Sequence, residues 1–159
     1  MIEHEEHFED SGHYLSVKNL YVNYSDKQYG GQKYNAILRK NKEKKFKITK
    51  SEQGYQISPV GKDNLLMSIN RYNGILQFNK YVGFVNKKNL NLDDPVSRNK
   101  LRSTYWKIKK LEESELYQIS SVKYPSYSLI LGDTLYFNTK CPVDGVVKFS
   151  NNKLSNWKI

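Results

Sequence analysis

Apolar residues come along this chain in short runs of four to six, each partly alternating with polar positions and broken by glycine, asparagine or aspartate. GHYLSV, LYVNY and AILRK open the pattern, and GYQISPV, LLMSI and GILQF continue it. LYQISSV, YSLIL and DTLYF complete it. A period of two in segments this short, rich in Val, Ile, Tyr and Phe, predicts β-strands. The intervening YGG (29–31), VGKDN (60–64), YNG (72–74), LGD (131–133) and VDG (143–145) carry residues that tolerate positive φ, as tight turns require. No window of ten or more residues holds a helical period. KIKKLEESELYQI has room for a single turn over Glu112–Glu115.

The runs align as three units. Placing Leu15, Ile57 and Ile119 in register also aligns Ser16, Ser58 and Ser120. Each unit closes on an aromatic-Lys-Ile triplet: FKI at Phe46, WKI at Trp106 and WKI at Trp157, where the chain ends. The second unit is longest. Its extra segment, residues 86–103 (NKKNLNLDDPVSRNKLRS), is polar and without period, and it reads as an inserted loop, the kind of element that carries contacts on a rigid scaffold.

Composition sharpens the strand reading. Among 159 residues there are thirteen Tyr, six Phe and two Trp but one Ala, a stock suited to pleated, half-buried surfaces. The single cysteine, Cys141, excludes an internal disulfide. No stretch approaches the ~18 apolar residues of a membrane span, and the acidic start MIEHEEHFED is unlike a secretory leader. A cytoplasmic location is the default expectation, with leaderless or processed secretion left open. A monomer is expected.

The net charge of +10 is lopsided, because residues 1–10 hold five acids and no Lys or Arg. Residues 1–11 read as a flexible acidic tail and 12–159 as one domain. All 26 Lys and Arg lie in residues 11–159, and two groups stand out among them: around Arg39, Lys42, Lys44 and Lys45, and around Arg98, Arg102 and Lys107–Lys110. In the repeat alignment both groups straddle a closing aromatic, so equivalent faces are expected. Such patches suit polyanions such as RNA or sulfated glycans. The tail is expected to fold back and screen one of them.

Three tandem four-stranded units, each closing on aromatic-x-Ile, resemble the β-trefoil fold of the ricin-B-lectin-like and interleukin-1/fibroblast-growth-factor-like proteins. The resemblance covers residues 12–159 and implies one core position used three times, by Phe46, Trp106 and Trp157. It also implies a protein that binds rather than catalyses. The ricin-type Gln-x-Trp motif is incomplete, since Lys44, Thr104 and Ser155 stand where that motif has Gln.

Glycan or glycoprotein binding is the leading functional expectation, through Tyr beside amides and carboxylates: Tyr72 with Asn73, and Tyr136 with Asn138 and Asp133. A protein-binding role (cytokine-like ligand, protease inhibitor or toxin receptor-binding module) would use the 86–103 segment through Asp93, Asp94 and Arg98. Polyanion binding would use the basic groups. No enzyme, cofactor or metal site is expected: the histidines, His4, His7 and His13, crowd the N-terminus, and no phosphate-loop, Gly-x-Ser-x-Gly or His-Glu-x-x-His pattern occurs.

Overall fold

A computed structural model describes residues 7–25, 34–69, 82–132 and 145–159. Among these residues the structure is all-β apart from one 3-10 turn and one short helix. Its strands are β1 (Ser16–Val17), β2 (Leu20–Ser25), β3 (Asn35–Arg39), β4 (Phe46–Ser51), β5 (Gly54–Pro59), β6 (Leu65–Ile69), β7 (Val82–Asn86), β8 (Trp106–Lys110), β9 (Leu116–Ser121), β10 (Ser128–Leu131), β11 (Gly145–Ser150) and β12 (Trp157–Lys158). All pair antiparallel within one twelve-stranded sheet ordered β10-β11-β3-β2-β1-β12-β9-β8-β5-β4, with β6 and β7 branching from β3. His13 and Phe46 exchange two backbone hydrogen bonds, of 2.8 and 2.7 Å, which join the start of β4 to the approach to β1. The six strands from β1 to β4 along that order therefore close on themselves and expose no free edge there.

The aromatic-Lys-Ile triplets are strand starts read with a period of two. Phe46, Trp106 and Trp157 are fully buried, Ile48 and Ile108 are buried, and the lysines between point to the exposed or half-exposed side. Each indole N–H finds a main-chain acceptor in the core: Trp106 Nε1 donates to the Met67 carbonyl and Trp157 Nε1 to the Leu129 carbonyl, both at 3.0 Å. Leu15, Ile57 and Ile119 are equally buried. A buried Tyr or Trp normally needs such a partner for its polar end.

The expectation of a β-trefoil built from three units as aligned is corrected by this topology. What the ladders show is a single twelve-stranded antiparallel sheet in which strands of different units pair with one another. Two hairpin partners are runs that the alignment of three units did not include. The partner of β6 is VGFVN (Val82–Asn86), and the partner of β10 is GVVKFS (Gly145–Ser150). GILQF and DTLYF lie outside the described residues.

Residues 86–103 are not a loop throughout. Lys87–Asn89 form a 3-10 turn and Pro95–Arg102 an eight-residue helix, α1. Asp94 caps α1 by accepting from the Val96 N–H, and Pro95 occupies the first turn, where its missing N–H costs nothing. The N-terminal segment is likewise more than a tail. Phe8 is buried against His13, Tyr55 and Tyr117 in edge-on or tilted ring contacts, while His7, Glu9 and Asp10 are exposed.

Candidate functional site

The β8–β9 hairpin, the β4–β5 turn and α1 meet at a groove of about 390 Å³, lined by Gln53, Arg98, Leu101, Arg102, Tyr105, Val122 and Lys123. Gln53 comes from the two-residue turn between β4 and β5, where Ser51 pairs with Gly54. Gly54 has φ +140°, and a Cβ there would lie 2.9 Å from the Trp106 carbonyl oxygen and 3.0 Å from Val122. The backbone approach that shapes this end of the groove thus requires glycine. On the opposite wall, α1 turns Ser97 inward and leaves Arg98 and Arg102 exposed, one turn apart on the helix.

Local hydrogen bonds hold two of the cations. Arg98 donates to the Leu92 carbonyl at 3.1 Å. Lys123 donates to the Asn99 carbonyl at 3.2 Å and approaches the Ser103 hydroxyl at 3.5 Å, so its ammonium sits at the C-terminal end of α1, where a positive charge is favoured. It also lies 5.2 Å from the Tyr124 ring centroid. Leu101, Tyr105 and Val122 supply apolar lining. Nearby, Leu92 and Val96 are 50% and 60% exposed, and Val122 is 40% exposed. Three cations beside an apolar trough suit an anionic group attached to an apolar body.

The second basic group of the sequence, Lys42, Lys44 and Lys45, lies elsewhere. Lys45 precedes β4 and Gln53 follows it, so the two groups sit at opposite ends of one hairpin, roughly 17 Å apart at about 3.4 Å per residue. At its own end, Lys42 lies 5.7 Å from the Tyr14 ring centroid and 5.5 Å from Tyr21, and Lys45 lies 5.5 Å from Tyr14. Lys44 and Lys62 each lie 5.4 Å from the Tyr24 ring. Arg39 is half-buried in β3, paired across the ladder with Tyr21. Sequence reasoning missed Lys62, Tyr14, Tyr21, Tyr24, Lys123 and Gln53. Only the basic composition pointed toward them.

The remaining candidates divide cleanly. Tyr72, Asn73, Asp133, Tyr136 and Asn138, chosen for glycan binding, lie outside the described residues, as do His4 and Cys141. Asp93 is exposed beside Asn91, and Asp94 is committed to capping α1. Thr104 is fully buried, donating to the Leu101 carbonyl at 2.6 Å and accepting from Gln56 at 2.9 Å. Ser155 accepts from the Leu131 N–H at 3.0 Å. Two of the three positions where ricin-type proteins carry Gln therefore serve the framework here. Among the described residues no three His, Cys, Asp or Glu side chains converge as metal ligands, and no helix is long and apolar enough to cross a membrane.

No family model and no curated protein sequence matches the chain. Solved structures do. The lysenin pore aligns with a TM-score of 0.60 at 13% identity, over 91% of this chain and 43% of lysenin. Lysenin in complex with phosphocholine aligns with a TM-score of 0.59 at 14% identity, over 91% and 42%. A salivary protein from Culex quiquefasciatus, of the Cysteine and Tryptophan-Rich family, aligns with a TM-score of 0.63 at 13% identity, over 91% and 89%. The chain thus spans less than half of lysenin's length and most of the salivary protein's. At these identities the likeness is one of fold. The resemblance to ricin-B-lectin-like and interleukin-1/fibroblast-growth-factor-like proteins is corrected by these matches to a lysenin-like, sheet-rich architecture.

Proposed function

We propose that this chain is a non-enzymatic binding module that takes the phosphate of a lipid headgroup in the groove beside α1. The observation that carries the reading is the convergence of Arg98, Arg102 and Lys123 on a trough lined by Leu101, Tyr105 and Val122. Cations alone would suit any anion. The exposed Leu92, Val96 and Val122 around them favour an anion presented at an apolar boundary. A guanidinium presents a planar fork of donors that matches phosphate oxygens, and two of the three cations are arginines. Lysenin, whose fold is similar, has been solved with phosphocholine, which is consistent with headgroup recognition on such a scaffold.

The test is co-sedimentation with vesicles of phosphatidylcholine, of phosphatidylcholine with phosphatidylserine, and of a neutral glycolipid lacking phosphate. Binding to the phosphate-bearing vesicles and its loss in the Arg98→Ala, Arg102→Ala double variant would support the reading. Equal binding by wild type and variant would refute it. The glycan reading, whose candidate residues lie outside the described part of the chain, would be favoured instead by binding to the phosphate-free glycolipid that persists at high salt.

A further inference from the structure

We infer that the lysine–tyrosine face around Lys42, Lys44 and Lys45 is a second binding surface, and that it takes a sulfated glycan chain. It is independent of the groove beside α1, from which the β4–β5 hairpin separates it.

The face is assembled from three parts of the chain. The paired hydrogen bonds between His13 and Phe46 fix Tyr14 next to Lys45. Gly12, at φ +96°, lets that strand lie close, since a Cβ there would fall 2.5 Å from Val60 and 3.2 Å from the Lys45 Cβ. Strand β2 contributes Tyr21 and Tyr24, and Tyr21 meets Tyr14 edge-on at 6.3 Å. The 40–45 link contributes Lys42, Lys44 and Lys45, and the turn after β5 contributes Lys62, held by hydrogen bonds from its N–H to Pro59 and from Leu65 to its carbonyl.

Ammonium groups share rings here. Lys42 and Lys45 share Tyr14, and Lys44 and Lys62 share Tyr24. Each ring attracts its cations, but cations gathered on one ring repel each other, and an anion laid between them relieves that repulsion. The Glu43 carboxylate accepts from the Asn23 amide at 2.8 Å, and Asp63 is exposed beyond Lys62. The lysines are also held in place before any ligand arrives, which lowers the cost of ordering them on binding.

Three features choose the ligand. Lysine ammonium groups are compact point charges, suited to sulfates whose orientation varies along a flexible chain. A single-stranded nucleic acid would want open aromatic faces for its bases, and these rings are already covered by ammonium groups. A lipid surface would want apolar side chains to bury, and Val60 is the one strongly exposed large hydrophobic residue at this end among those described. A sulfated polysaccharide, with anions repeated along its length, spans cations drawn from both the 40–45 link and the turn at Lys62.

The test is binding to heparin, with poly(U) and phosphatidylserine vesicles as competitors, for wild type and three variants. The triple Lys42→Gln, Lys44→Gln, Lys45→Gln should weaken heparin binding about tenfold or more near physiological salt and flatten its salt dependence. The triple Lys107→Gln, Lys109→Gln, Lys110→Gln removes the same charge from exposed positions on β8 and should cost less than about threefold. Arg98→Ala with Arg102→Ala should cost heparin binding no more than that control triple, while testing the groove separately. Equal losses in the two lysine triples would overturn the inference, because net charge would then explain the binding. So would competition by poly(U) or vesicles as effective as that of free heparin.

Discussion

Trp106 offers a direct test of how the core is held. It is fully buried at the start of β8, and its indole N–H donates to the Met67 carbonyl at 3.0 Å. Met67 is itself fully buried, so the carbonyl has no ready access to water once its donor goes. Trp106→Phe keeps an aromatic ring but removes the donor, and an orphaned buried acceptor costs about 1–3 kcal/mol. The smaller ring also leaves a void, adding about 1–2 kcal/mol. The sum, roughly 2–5 kcal/mol, corresponds to a melting temperature lower by about 5–15 °C for a chain of this size. Trp157→Phe should cost the same within about 1 kcal/mol, because Trp157 is equally buried and makes the same 3.0 Å bond, to Leu129. Phe46→Leu, which breaks no hydrogen bond, should cost less than either. Urea unfolding followed by far-UV circular dichroism reads all three without relying on tryptophan emission. If Trp106→Phe lies within about 1 kcal/mol of wild type, the indole bond is not a determinant of the core and the reasoning fails.

Three further outcomes follow from the same contacts. Gly54→Ala should destabilise by about 1–3 kcal/mol and weaken vesicle binding, since the strained φ and the 2.9 Å approach to the Trp106 carbonyl must relax into the groove; unfolding and co-sedimentation measure both. Asp94→Ala should cost about 1 kcal/mol and increase hydrogen exchange within α1, because the Val96 N–H loses its cap. Phe8→Ala should cost about 3–5 kcal/mol by calorimetry, whereas replacing the exposed Glu9 and Asp10 by Asn and Gln should leave stability near wild type.

The acidic N-terminus shows how far composition reaches. Its charge implied a mobile screen, yet Phe8 is part of the core, because one aromatic among acids carries enough apolar area to be buried when a site is open to it. Similarly, residues 95–102 carry no helical signal in their pattern, because eight residues complete barely two turns and show no convincing period. The start signal of α1 was nevertheless present in the Asp-Pro step at Asp94–Pro95.

Alternation along the chain is enough to say what each strand residue faces. Alternation is local, so FKI and WKI place an aromatic and an isoleucine inward and a lysine outward wherever the strand ends up. Pattern and composition likewise show that the chain is all-β and that its surface is basic. Which strands pair is a property of the folded chain as a whole. VGFVN and GVVKFS are no more strand-like than the runs chosen in their place, and pairing is settled by packing across long sequence separations. The same holds for the binding surfaces. Arg98, Arg102 and Lys123 meet Gln53, and Lys42, Lys44 and Lys45 meet Tyr14 and Tyr24, because a closed sheet brings distant turns to a common end, a proximity that no local pattern of charge records.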